Sequence, residues 1–137
     1  MSESIKHECG IAMIRLRKPL QHYIDKYGTP LYAVNKLYLL MEKQHNRGQD
    51  GVGVANIKID IPPGSRYISR YRSVSERPIS DVFKKINKKY KKVRQTWGTE
   101  RLLDAKWLQE NVAFTGEVWL GHLRYGTHGK NSIEYCH

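Results

Sequence analysis

Three short stretches of this sequence hold residues whose types and spacing could do chemistry. The first is Glu8-Cys9-Gly10-Ile11-Ala12-Met13-Ile14, a cysteine at the mouth of an apolar run with eight residues in front of it. Removal of those eight would leave Cys9 with both a thiol and a free α-amine. The thiolate is the attacking species. An α-amine titrates near pH ~8, so it can take and return a proton at working pH. An N-terminal amine acting as base for its own side chain is an established arrangement. While the Glu8–Cys9 peptide bond stands, that nitrogen is an amide and cannot serve, so the chain as written reads as a precursor with residues 1–8 as a leader.

A nucleophile of this kind, set to cleave an amide, needs a pocket that holds the substrate within reach and donors for the developing oxyanion. An amino-acid substrate also needs a planar cation for its α-carboxylate, best supplied by an arginine fork. Arg124, followed by a glycine-bearing loop with Thr127, is such a clamp in sequence form. In Asn46-Arg47-Gly48-Gln49-Asp50-Gly51-Val52-Gly53 the glycines allow main chain to approach a reacting group closely, and Arg47 raises the local positive potential. Each stretch also has an ordinary reading: a small buried cysteine, a surface arginine, a helix-ending turn with a glycine cap.

Taken together, Cys9-Gly10-Ile11, Asn46 through Gly53, and Gly121-His122-Leu123-Arg124-Tyr125-Gly126-Thr127 resemble the glutaminase domain of class II glutamine amidotransferases, most closely the amidophosphoribosyltransferase branch. The resemblance implies an N-terminal-nucleophile hydrolase fold, an α+β αββα sandwich of two antiparallel sheets between helical layers. It implies that Cys9 attacks the side-chain amide of glutamine and releases ammonia through a glutamyl thioester. Arg124 would hold the α-carboxylate with help from Thr127, and Arg47 and Gly48 would shape the nucleophile's pocket. Ammonia would pass to a phosphoribosyl pyrophosphate-binding domain, where Mg would be needed; this chain itself is expected to need no cofactor or metal. The sequence departs from the family in three ways. Asn46 replaces the usual histidine, and residues 60–115 form a longer, basic and partly helical connection. The family's Asn-Gly oxyanion pair, its aspartate for the substrate amine and the phosphoribosyl-transferring domain do not occur before His137. The chain ends at Tyr135-Cys136-His137 without a closing element. Residues 9–137 are therefore expected to be the N-terminal part of a glutaminase domain, inactive in isolation.

The elements that must position these residues follow from periodicity. Residues 10–16 read as a buried strand beginning at the nucleophile. Residues 20–28 read as a short helical turn closed by Gly28. Leu31, Val34, Leu37, Tyr38 and Met41 recur at helical spacing and predict a helix over 30–44, with Thr29 as cap and Pro30 in its first position. Val52, Val54, Ile57 and Ile59 read as a strand, 60–64 as a turn and 66–73 as a further strand. Ser80 is the expected cap of a helix with the apolar stripe Val82, Phe83, Ile86, Tyr90 and Val93 and six lysines opposite. Thr99 caps another helix bearing Leu102, Leu103, Trp107 and Leu108, and residues 117–123 form a strand running into Arg124.

Composition bounds the rest. A chain of 137 residues is one domain or part of one, and two cysteines exclude a disulfide-dense scaffold. The leader has no apolar core, no apolar run is long enough to span a membrane, and a cytoplasmic location is expected. The net charge of +11 is concentrated: residues 66–101 hold twelve basic and three acidic residues, +9, leaving +2 for the remainder. A basic nucleic-acid-binding module built on the lysine-rich helix 81–94, with Tyr90 and Trp97, is the alternative reading. The preferred one is a solvated lysine face with its aromatics in the core, so nucleic acid is not the expected partner. A zinc site from His7, Cys9, Cys136 and His137 matches no established ligand spacing. Glutamine is the expected small-molecule partner, and a homo-oligomer is compatible with all of these readings.

Overall fold

The computed structural model describes residues 9–44 and 50–124. Its elements are β1 (Gly10–Arg15), α1 (Leu20–Tyr27), α2 (Tyr32–Glu42), β2 (Gly51–Ile57), β3 (Ile68–Ser73), α3 (Pro78–Trp97), α4 (Thr99–Leu102), α5 (Ala105–Asn111) and β4 (Val118–Arg124). The fold is α+β. The strands form one antiparallel sheet in the order β1-β4-β2-β3, so the first and last described strands are neighbours.

Among the described residues, one face of this sheet carries helices and the other does not. Ala12, Val52, Val54, Asn56, Ser69, Trp119 and Leu123 point to the helical side and are buried, packed beneath α2 and α3. The alternate residues, Ile11, Met13, Leu120 and Ile68, are 71%, 57%, 39% and 43% exposed. The expectation of a buried strand over 10–16 is therefore corrected: its apolar run lacks polar alternation, yet alternate residues of β1 are exposed and the described residues cover one face. The strand expected over 66–73 forms over Ile68–Ser73, with Ser69 and Ser73 buried and Ile68 and Arg70 outward.

The helical starts differ from expectation for local reasons. α2 begins at Tyr32, because Thr29 spends its hydroxyl on the Leu31 N–H (3.1 Å) in a turn that ends before the helix. α3 begins at Pro78, whose fixed φ and missing N–H suit a first helical position, so Ser80 lies inside the helix. Its stripe Val82, Phe83, Ile86, Tyr90 and Val93 is buried as expected, each side chain contributing on the order of 2 kcal/mol by removal from water. The single helix expected from Thr99 is two: the chain breaks after Leu102, and Asp104 accepts from the Trp107 N–H (3.1 Å) to cap α5. No helix among the described residues is long and apolar enough to cross a membrane.

A buried polar network pins the entry to β4. The Asn56 side chain donates to the carbonyls of Gly116 and Val118 (both 3.1 Å) and accepts from the Gly116 N–H (2.7 Å). Thr115 donates to the Val112 carbonyl at 2.8 Å, and the Tyr90 hydroxyl donates to the Phe114 carbonyl. Phe114 itself has φ +62°, a conformation rare for a bulky residue, so several bonds converge on a segment whose backbone is locally unfavourable. Gln109 donates to the Glu117 carboxylate (2.7 Å), and the buried Lys58 ammonium donates to the Gln109 carbonyl (2.7 Å).

Burial, then the nearby Arg66 cation, pull the Lys58 pKa below 10.5, with Glu117 opposing them. The folded state therefore binds fewer protons than the unfolded one between the folded pKa and 10.5, and Lys58 makes stability rise with pH across that window. In urea unfolding followed from pH 7 to 10.5, Lys58→Met is expected to flatten the curve relative to wild type. Identical slopes for the two proteins would show that the ammonium is not penalised by folding.

Candidate active site at one end of the sheet

β1 runs antiparallel to β4, and Gly10 pairs with Leu123. Cys9 immediately precedes Gly10 and Arg124 immediately follows Leu123, so Cys9 and Arg124 stand at the same end of adjacent strands. On the other side of β4, Gly51 pairs with Arg124 and Gly53 with His122, and the Arg124 carbonyl accepts from the Asp50 N–H at 3.1 Å. The start of the first stretch, the end of the second (residues 50–53) and the described part of the third (residues 121–124) are thereby brought to one end of one sheet. Strand alternation sets Arg124 and His122 on the side opposite the buried Leu123, which is the helix-free face. Across from each of these polar residues the second stretch presents a glycine, with no side chain of its own.

Cys9 is exposed and is a free thiol. Arg124 is half-buried at the strand end. Arg47, Gly48 and Thr127, with Asn46, lie outside the described residues, as do the leader and the other three members of the His/Cys grouping. Among the described residues no group of three or more His, Cys, Asp or Glu side chains could hold a metal ion.

The glycine after Cys9 has a packing reason that sequence reasoning missed. A Cβ on Gly10 would stand 2.6 Å from the Gln44 side-chain oxygen and 3.3 Å from Leu123. Gln44, just past the end of α2, reaches over Gly10 and donates to the Ile11 carbonyl at 3.3 Å. It thus ties the helical layer to the start of β1. The sequence signal was weak: a glutamine one turn beyond an apolar stripe looks like surface. Gly121, in the third stretch, likewise admits α2, since a Cβ there would meet the Met41 sulfur at 2.5 Å. A glycine on each strand of the β1–β4 pair, Gly10 on β1 and Gly121 on β4, therefore lets α2 lie close over the strands that lead to Cys9 and Arg124.

Chemically, the register sets a thiol-bearing residue and a guanidinium-bearing residue at one end of the sheet, residue types able to attack a carbonyl and to grip a carboxylate. No protein-family model, curated protein or solved structure matches the chain.

Proposed function

We propose that the chain belongs to a glutaminase of the class II glutamine amidotransferase type. In this reading Cys9, once residues 1–8 are removed, attacks the side-chain amide of glutamine. Its freed amine carries the proton to the departing ammonia, and Arg124 holds the substrate α-carboxylate with Thr127, Arg47 and Gly48 around it. The observation that carries the reading is the convergence of Cys9, Gly51 and Arg124 at one end of the sheet by strand register. A second support is the helix-free face with Ile11, Met13, Leu120 and Ile68: it suits an αββα sandwich in which a second sheet covers it and the substrate lies at the rim between the two. The acceptor of the ammonia is phosphoribosyl pyrophosphate on a separate domain, with Mg bound there, and the enzyme is cytoplasmic.

Two measurements test this. The N-terminal mass of the protein purified from its own cell is expected to begin at Cys9; a mature chain still beginning at Met1 removes the proposed base. In that mature protein, Arg124→Ala is expected to raise the KM for glutamine by roughly 10- to 100-fold while moving kcat less, the loss of a charge-assisted bond of about 1.5–3 kcal/mol. An unchanged KM would show that the guanidinium does not grip the substrate.

A further inference from the structure

The basic segment folds in a way that separates its aromatics. Tyr90 goes into the core, whereas Trp97, at the end of α3, is 59% exposed. The Trp97 ring lies 5.6 Å from that of Trp107 on α5, tilted by 59°, and the Arg101 guanidinium sits 5.4 Å over the Trp107 ring. With Lys89, Lys92, Thr96 and Asn111 the two indoles line an open cleft of about 460 Å³. Lys85 and Lys89 lead toward it along α3, each also near the Tyr71 ring (5.9 and 5.7 Å). From Lys85 to Thr96 this row runs roughly 16 Å at ~1.5 Å per residue. Lys84, Lys88 and Lys91 form a parallel row beside it, lining a second shallow groove. Lys85 pairs with Asp81 at 3.6 Å, and among the described residues no carboxylate reaches the other five lysines.

We infer that this cleft binds single-stranded nucleic acid, with phosphates tracking the lysine rows and a base stacking on Trp97. Evenly repeated cations answer an evenly repeated anion, and the nearly unopposed charge supplies the electrostatic term of such binding. An exposed indole beside them supplies a stacking platform, which accepts unstacked bases and not those inside a duplex. A membrane surface fits less well. An interfacial helix inserts its apolar face, and that of α3 is already spent on the core through Val82, Phe83, Ile86, Tyr90 and Val93. None of the cleft residues belongs to the Cys9–Arg124 sheet end, so the inference stands apart from the glutaminase reading.

Fluorescence anisotropy of the 137-residue chain with a labelled 12-nucleotide oligo-U and its oligo-dT counterpart tests it. If three lysines each neutralise one phosphate, log K falls against log salt with a slope of about −2. Trp97→Ala is expected to weaken binding about tenfold and Trp97→Phe to restore most of it, since a ring remains to stack. Lys89→Glu with Lys92→Glu should weaken binding further and flatten the salt slope, while Lys36→Glu on α2 leaves both unchanged. Three results would each overturn the proposal: equal binding by wild type and Trp97→Ala, equal or tighter binding of a duplex of the same length, or equal competition per charge by heparin or by anionic phosphatidylserine vesicles.

Discussion

Replacing Cys9 with alanine in the mature protein, as its cell makes it, is expected to lower glutamine-dependent ammonia release by on the order of 10⁴-fold or more, the scale of loss when an attacking group is removed from a nucleophilic hydrolase. Covalent capture of a diazoketone analogue of glutamine should vanish with it. The size of the effect follows from the division of labour. In the proposed glutaminase Arg124 would position the substrate, and losing it would weaken binding, whereas Cys9 would form the bond that splits a slow hydrolysis into two faster steps. Peptide mass mapping of the labelled wild-type protein should find the analogue on Cys9, with excess glutamine protecting it. Labelling that persists in Cys9→Ala, or activity within tenfold of wild type, would sink the assignment of the nucleophile.

Gly116→Ala is expected to be the most damaging small substitution outside that site, about 3–5 kcal/mol, well above Gly121→Ala at about 1–3 kcal/mol. A methyl at 116 runs into the Ile57 carbonyl and stands 2.6 Å from the Lys58 nitrogen, both main-chain groups of β2 and the loop after it. Neither can swing aside without opening the β2–β4 ladder. The same displacement breaks the bonds between Asn56 and Gly116, leaving buried donors and acceptors unpaired. A methyl at 121 meets the end of the Met41 side chain, and a thioether has rotamers to spare even in a core. Thermal unfolding should show a drop in Tm of about 10 °C or more for Gly116→Ala and a smaller one for Gly121→Ala. A reversed order would mean that Met41 is held more rigidly than the main chain.

Element identity was legible wherever the apolar period was long and clean. The α3 stripe is the best instance, because five buried residues at helical spacing leave one solution. Boundaries were less legible, since caps depend on which of several competent side chains is used elsewhere. Thr29 and Ser80 both have capping chemistry and neither caps a helix, while Asp104 does so inside what reads as a continuous apolar stripe. Of the two aromatics expected in the core beside the lysine face, Tyr90 is inside, whereas Trp97 at the end of α3 is exposed. At the candidate site, the residue types could be picked out one stretch at a time, but their meeting could not. It depends on the order β1-β4-β2-β3, a long-range pairing that no local period encodes. Gln44 and the glycines at 10 and 121 are legible only once α2 is known to lie across β1 and β4.

That strand order also sets a clock. The hydrogen-bonding partner of the first described strand is the last described one, so Gly10 waits for Leu123 to leave the ribosome. At about 5–20 residues per second the delay is roughly 6–23 s, during which β1 lacks its partner strand. A processing event that trims the chain at Cys9 by sensing the finished sheet corner would be held back by translation itself, and the reactive thiol–amine pair would be unmasked only on a polypeptide already long enough to shelter it.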